Sequence, residues 1–549
     1  MKTRLSRLAL CAAALFSLSL VVHAQTPSVP GPTPATTSPT SSVPATPSAG
    51  TGGNATGGSA PANASAPAAP AAPAAAPKVP NVDTNSPVVN ESGINGAFKV
   101  TNVANAALTP DQASRGDTAW IIVATALVML MTPGLAFFYG GLVRSKNVLN
   151  TLMMSFVALG IISIQWMLWG FSVAFGPNDV HGIIASFWKP TDYLGLRNVG
   201  SAPIAPLTIP GSIWMLFQMT FAIITPALIS GAVAERMKFG AYCLFILLWG
   251  TFFYDPLAHN VWGGGYIGTG HLHAIDFAGG TVVHISSGVS ALTLAFMLGK
   301  RRGHGSDEMR PHNVPFVLLG AALLWFGWFG FNAGSELAAD GVACAAFINT
   351  HIATAAAAMS WIIVEWIKFK KPTAVGFASG AVAGLVAITP ACGFVNPIAA
   401  LIIGLVVSPI CFSAIQLKNR LNAYDDALDV FGVHACGGMW GALATGLFAN
   451  GKINPNLSVP VTTPGGLGAV NGPLAGGGWH QPLVQIEAIL ITIVGAVVCT
   501  FIIGKVVGLI CGGLRVSSDE EENGLDVTDH GEVGYSTESG GIPALAGVD

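Results

Sequence analysis

Two histidines, His284 and His434, each lie inside a long apolar run, Val282-Val283-His284-Ile285 and Phe431-Gly432-Val433-His434-Ala435. A neutral imidazole offers one donor and one acceptor nitrogen, and it can take or release a proton near neutral pH. At membrane depth an ionisable side chain is expensive, so it faces a bundle interior or a pathway. A lone histidine there reads more readily as a satisfied structural group. Two at the matching span of two halves of a chain suggest a paired site on an internal symmetry axis.

The elements that position this pair follow from composition. Of 549 residues, 52% are hydrophobic and only 9% charged, with 67 glycines and a mean hydropathy of +0.60. That is too apolar for a soluble chain of this size and reads as a polytopic membrane protein. The net charge of -3 says little, because most of the acidic excess lies near the C-terminus. No basic stripe points to nucleic acid, and no Gly-x-x-x-x-Gly-Lys-Ser/Thr stretch points to a nucleotide. Seven cysteines beyond Cys11 lie in or beside apolar runs without a Cys-x-x-Cys spacing, so buried free thiols are expected rather than a metal or disulfide framework.

Apolar runs of about 20 residues, the length that crosses a bilayer, fall near 118–142, 148–175, 211–233, 239–258, 279–299, 314–334, 344–367, 373–390, 395–417, 431–450 and 483–512. They predict an all-α polytopic membrane protein of eleven transmembrane helices. His284 falls in the fifth and His434 in the tenth, and His284-Ile285-Ser286-Ser287-Gly288 is answered by His434-Ala435-Cys436-Gly437-Gly438. Two five-helix repeats plus a final helix would account for this. An odd number of spans per repeat forces the second to run inverted, which puts a site between the halves near the midplane.

Basic residues test the count. They follow the odd spans: Arg144 and Lys146; Arg236 and Lys238; Lys300, Arg301, Arg302 and Arg310; Lys368, Lys370 and Lys371; Lys418 and Arg420; Lys505 and Arg515. Loops after even spans hold only Lys189, Arg197 and Lys452. This bias predicts an N-terminus outside and a C-terminus in the cytoplasm of a multi-pass inner-membrane protein. Residues 1–24 agree, with Lys2, Arg4 and Arg7 before an apolar core and a small-residue cleavage site, the pattern of a secretory signal peptide. Residues 25–114 open with a Pro/Ala-rich run and read as a disordered periplasmic segment, 115–515 as the membrane domain and 516–549 as a cytoplasmic regulatory tail.

Five motifs stand in order along the membrane domain: Phe217-Gln218-Met219-Thr220-Phe221-Ala222; Ala258-His259-Asn260-Val261-Trp262-Gly263-Gly264-Gly265; Asp276-Phe277-Ala278-Gly279-Gly280-Thr281-Val282-Val283-His284; Gly327-Trp328-Phe329-Gly330-Phe331-Asn332-Ala333-Gly334-Ser335; and Asp429-Val430-Phe431-Gly432-Val433-His434. With them the chain closely resembles the ammonium transporter (Amt/Rh) family, in its bacterial Amt branch, over roughly residues 115–535. The resemblance implies a homotrimer with one pore per subunit, no cofactor and no enzymatic activity. It places an outer cation site at Phe221, Trp262 and Ser335, a gate at Phe221 and Phe331, and a pore at His284 and His434 walled by Trp328. Aromatic faces attract a cation by about 0.5–2 kcal/mol, and a hydroxyl accepts from one N–H. A bare ammonium ion in an apolar bore is costly, so the ion is expected to shed its proton on entry. Potassium has none to lose.

Asp276 is essential by the same resemblance. It reads as a helix cap on the N–H groups of Ala278 and Gly279, or as a charge that draws the cation or takes its proton. His259, Asn260 and Asn332 read as polar supports, and His351, Glu365 and Glu487 as structural groups near span ends. In the tail, Gly524-Leu525-Asp526 and His530-Gly531-Glu532-Val533-Gly534-Tyr535 look like the segment through which bacterial members couple subunits and receive a trimeric PII nitrogen-signalling protein. Gly534 departs from the usual Ala, and Ser536 to Asp549 extend beyond the pattern. The acidic run Asp519 to Glu522 alone would read as a solvated segment. Two alternatives carry other chemistry: an ammonium sensor that signals through PII without conducting, and a redox protein with the histidines as axial haem ligands.

Overall fold

The computed structural model describes residues 109–176, 192–204, 207–458 and 470–535. The expected signal peptide, most of the periplasmic segment, Lys189 and the tail beyond Tyr535 lie outside these residues.

Helices carry the described chain. They are α1 (Arg115–Leu142); α2 (Val148–Gln165), which runs through a π turn (Trp166–Gly170) into Phe171–Phe175; α3 (Gly211–Val233); and α4 (Phe239–Trp249), which runs through a π turn (Gly250–Tyr254) into Asp255–Trp262. Next come α5 (Ser286–Leu298, entered by a π turn at Gly280–Ile285), α6 (Val314–Ala333), α7 (Gly341–Phe369), α8 (Ala374–Ile388), α9 (Pro397–Leu421), α10 (Cys436–Phe448, entered by a π turn at Phe431–Ala435) and α11 (His480–Ile510). Two short tail helices follow, α12 (Ser518–Asn523) and α13 (Leu525–His530). Side-chain caps start several of them: Ser114 accepts from Asp117 N, Asp340 from Val342 N and Ala343 N, and Asn396 from Ala399 N. Pro133, Pro226 and Pro409 lie inside α1, α3 and α9 without ending them, as membrane helices allow.

Nine helices among the described residues are long and apolar enough to cross a bilayer. The expected spans at 373–390 and 431–450 are the two that fall short. Helix α8 holds 15 residues, about 22 Å at 1.5 Å per residue against a hydrocarbon core of about 30 Å. Its apolar run continues past Ile388 into a turn at 389–394, and hydropathy does not register where a helix stops. Helix α10 holds 13 residues beyond its π turn. Packing sorts the long helices: α3 is buried almost all round, whereas only a third of α11 is. Helices this apolar on every face belong in a core or against lipid, and Ile122, Phe326, Trp366, Ile367 and Leu509 are exposed on the outward faces.

The basic loops gather at one end. Arg144 Nη2 meets Glu235 at 2.7 Å, and Arg301 bridges Glu235 (3.2 Å) and Asp425 (2.9 Å), with both carboxylates fully buried. Burial alone would raise the Glu235 carboxyl, but the Arg301 and Arg144 guanidiniums outweigh it and hold it below the usual range. The acidic run is not merely solvated: it lies across this end. Lys146 Nζ donates to the Glu521 carbonyl (3.1 Å), Arg515 Nη2 pairs with Glu521 (2.6 Å), Leu525 N donates to Asn147 Oδ1 (2.8 Å), Asn150 N donates to Asp526 Oδ1 (2.8 Å), and Tyr535 Oη is 2.9 Å from His312 Nε2. Cysteine burial departs from expectation: Cys392 and Cys411 are buried, Cys344 is exposed, and the other described ones are intermediate.

Candidate functional site

Both histidines lie in π turns, where backbone hydrogen bonds are widened by a residue, a feature frequent at functional sites. His284 sits in Gly280–Ile285 and His434 in Phe431–Ala435. Each turn is held from below by an aspartate. Asp276 Oδ1 accepts from Gly279 N (2.8 Å) and Gly280 N (2.7 Å), while Oδ2 accepts from Thr281 N (2.8 Å) and from the Thr281 hydroxyl. Asp426 Oδ1 accepts from Val430 N (3.1 Å) and Oδ2 from Phe431 N (2.8 Å). The cap at Asp276 therefore takes Gly279 as expected but falls on Gly280 and Thr281 rather than on Ala278. Gly279 has φ +117°, which turns the following N–H groups back onto the carboxylate.

The two turns are related by a constant spacing: 434 − 284 and 426 − 276 both equal 150. Gly288 and Gly438 share the offset and make the crossing possible. A methyl at Gly288 would lie 2.4 Å from Ala435 N, and one at Gly438 would lie 3.0 Å from His284 Cβ. Any larger residue would push the rings apart.

So placed, His284 Nδ1 and His434 Nδ1 are 3.4 Å apart, within reach of a long hydrogen bond, and their planes are inclined by 25°. In such a contact one ring donates and the other accepts, which fixes opposite roles for the two Nε2 atoms. His284 Nε2 is buried and finds no hydrogen-bond partner among the described residues. It borders a narrow cavity of ≈ 330 Å³ empty volume, lined by Met131, Leu135, Phe138, Ile224, Leu228, Val283, Leu324, Trp328, Phe331, Val382 and both histidines. Of these only the histidines and Trp328 carry nitrogen, and the Trp328 indole is occupied by Thr389 Oγ1 at 2.8 Å. The bore is thus apolar except at the imidazoles. The rings touch too closely to admit a porphyrin between them, which removes the haem alternative.

On the side away from the basic loops, Phe221 and Phe331 lie over one another with centroids 4.2 Å apart and planes inclined by 32°, and Phe331 in turn faces His284 at 6.2 Å. Trp262 meets Phe221 edge-on at 6.0 Å. Its indole Nε1 donates to the Asp276 carbonyl at 3.0 Å, so one residue fixes both this tryptophan and the His284 turn. Ser335 follows α6 by a short turn, is partly exposed, and donates from Oγ to the Phe331 carbonyl at 2.7 Å. Towards the basic end His434, Phe138 and Val382 also line a wider cavity, ≈ 1040 Å³ of empty volume with its mouth included. The sequence-predicted rings therefore form a chain of contacts, Trp262 to Phe221, Phe221 over Phe331, Phe331 to His284 beside Trp328, and His284 to His434, with Ser335 tied to the Phe331 carbonyl.

Of the other polar residues singled out in the sequence, His259 Nδ1 is 3.1 Å from the Ala174 carbonyl, Asn260 Nδ2 donates to the Pro256 carbonyl (2.8 Å), and Asn332 Nδ2 donates to Thr350 Oγ1 (2.9 Å). Sequence reasoning missed Thr281, Thr389 and above all Asp426. The fixed offset from Asp276 was the signal for Asp426; nothing marked the threonines.

The profile of the Ammonium Transporter Family matches residues 119–535. The ammonium transporter of Bacillus subtilis is 51% identical over 421 residues, 76% of this chain and 98% of the relative, and that of Mycobacterium bovis is 48% identical over 439 residues, 76% of this chain and 90% of the relative. Among solved structures, Saccharomyces cerevisiae Mep2 matches with a TM-score of 0.67 at 32% identity over 79% of this chain and 94% of its own. A sensor Amt protein matches with a TM-score of 0.66 at 27% identity over 76% of this chain and 98% of its own. With a profile covering most of its length and a relative at 51% identity matched over nearly all of its own, this chain belongs to the ammonium transporter family.

Proposed function

We propose that this chain takes up ammonium across a bacterial inner membrane by capturing the cation at Phe221, Trp262 and Ser335, removing its proton, and passing ammonia through the bore of His284 and His434. The observation that carries the reading is the contact of the two imidazoles, 3.4 Å apart in an otherwise apolar cavity. An ion entering that cavity would exchange full hydration for hydrocarbon walls and one or two ring nitrogens, a cost of several kcal/mol or more. A neutral amine avoids most of it. Ammonia can accept a hydrogen bond from one imidazole and donate to another, so the rings supply the polarity the walls lack. The proton left at the mouth can pass along the ring pair, since a shared N–H···N contact can reverse its polarity.

Phe221 serves twice in this reading, as one face of the cation site and, over Phe331, as the gate. Asp276 is a positioning residue: its four accepted hydrogen bonds and its carbonyl contact to Trp262 couple the mouth to the His284 turn. Eleven spans in two inverted repeats are supported by the shared 150-residue offset of the caps, histidines and crossing glycines. The gathering of the basic loops at one end supports a cytoplasmic C-terminus, and trimerisation and PII control rest on the tail motif and its seat against those loops.

A sensing role is the second reading, favoured by the likeness to the sensor Amt protein. Proteoliposomes given an ammonium pulse and an equal potassium pulse separate the two. Transport with proton relay gives a transient current for ammonium alone; uptake without current makes conduction electroneutral; neither current nor uptake, with ammonium binding retained, defeats the transport reading.

A further inference from the structure

Away from the bore, the contact between α2 and α4 holds a carboxyl group that the proposed transport path does not use. Asp255 is fully buried directly after the α4 π turn, and it faces Gln165, which stands directly before the α2 π turn. Both lie in stretches long and apolar enough to cross a bilayer, and neither lines the histidine cavity. Gln165 Nε2 donates to Asp255 Oδ2 at 2.5 Å. The remaining oxygens, Asp255 Oδ1 and Gln165 Oε1, are buried with no donor among the described residues. Gly170 leaves room for the bonded pair: a Cβ there would lie 2.8 Å from Gln165 Nε2 and 3.0 Å from both Asp255 Oδ2 and Gln165 Oε1.

An ionised Asp255 would be a full charge in a fully buried, apolar setting with one amide donor, and such charges persist only when paired. His259, one turn along α4, is turned to the Ala174 carbonyl instead. Turning the amide over does not help, because it sets Gln165 Oε1 against a carboxylate oxygen. A proton on Asp255 satisfies both orphaned oxygens together. Asp255 Oδ1–H then donates to Gln165 Oε1 while Gln165 Nε2–H donates to Asp255 Oδ2, closing a neutral ring of two hydrogen bonds.

We infer that Asp255 is a resident proton-binding site at membrane depth, a neutral carboxylic acid locked reciprocally to Gln165 and separate from the histidine pair. The proton is taken from water as the helices pack and stays bound. The pair ties α2 to α4 where both carry π turns, on the helix whose far end holds Trp262.

Infrared spectroscopy of the full-length protein, with aspartate labelled at the side-chain carboxyl carbon, tests this directly. The expected result is a protonated-carboxyl C=O band that shifts with the label, persists to about pH 9, and disappears in Asp255→Asn. The asparagine amide supplies the same donor to Gln165, so that variant melts close to wild type. If it does not fold, Gln165→Leu serves: removing the amide moves the band to higher frequency and lowers the melting temperature. A wild-type protein without such a band at about pH 9, or a band that neither substitution alters, overturns the inference and leaves an ionised carboxylate with a bound water or cation in its place.

Discussion

The two histidine turns share a backbone plan but differ in what holds them. In the first, Asp276 takes four hydrogen bonds; in the second, Asp426 takes two. Each turn is entered through a left-handed residue at the same offset: Gly279 at φ +117° and Asp429 at φ +60°. At Gly279 a Cβ would lie 2.6 Å from Val283 Cγ2 and 3.4 Å from the Trp262 ring. At Asp429 the side chain turns out to pair with Lys418. The first turn is therefore packed against Trp262 of the proposed cation site, whereas the second opens to a wide cavity that Asp429 and Glu365 also line. Equivalent backbones need not carry equivalent side chains.

That contrast is best broken at the aspartates. Asp276→Ala strands four donors in a buried setting, each worth about 1–3 kcal/mol, and is expected to abolish most of the folded yield in detergent. Asp426→Ala strands two, and its melting temperature should fall by less. Equal losses would show that the caps do not differ in load.

Gly279→Ala adds a clash to a left-handed strain of about 1–2 kcal/mol, and ammonium uptake should drop by about tenfold or more, at 1.4 kcal/mol per factor of ten. Asp429→Ala keeps a backbone that already tolerates a side chain and should retain uptake much closer to wild type. A milder effect at Gly279 than at Asp429 would reverse the proposed asymmetry.

Titration sharpens the second half. Burial, opposed by Lys418 and reinforced by Asp429, pushes the Asp426 carboxyl up to about 6 from 3.8. The folded protein thus holds this proton to higher pH than the unfolded chain. Its contribution to stability is fully present below 3.8 and is lost as pH rises through about 6. Melting temperature should fall over that window, and Asp426→Asn should flatten the slope. The smallest effect is expected at the mouth: Ser335→Ala removes one acceptor worth about 1 kcal/mol, raising half-saturation about fivefold with maximal uptake unchanged.

Much of this site was legible in the chain. The histidines, the overlapping Phe221 and Phe331 and Trp262 stood in ordered motifs, and the helices largely followed hydropathy. What hydropathy could not express was where a helix ends or widens: α8 stops inside an apolar run, and the π turns at His284 and His434 carry ordinary apolar residues. The acidic run read as solvated because Lys146 and Arg302, which meet it, are more than two hundred residues away in sequence, although Arg515 stands only six residues from Glu521. Asp255 and Gln165 gave no signal at all, since each is unremarkable until α2 and α4 bring them together.

The central claim is that the two imidazoles act as one unit. Potassium and ammonium currents through His284→Ala, His434→Ala and the double variant test it most directly, because groups that act together are not additive. The account predicts that either single substitution loses ammonium selectivity as fully as the double, with potassium admitted once the pair is broken. Single variants that each keep part of the selectivity, with losses that sum to that of the double, would contradict it.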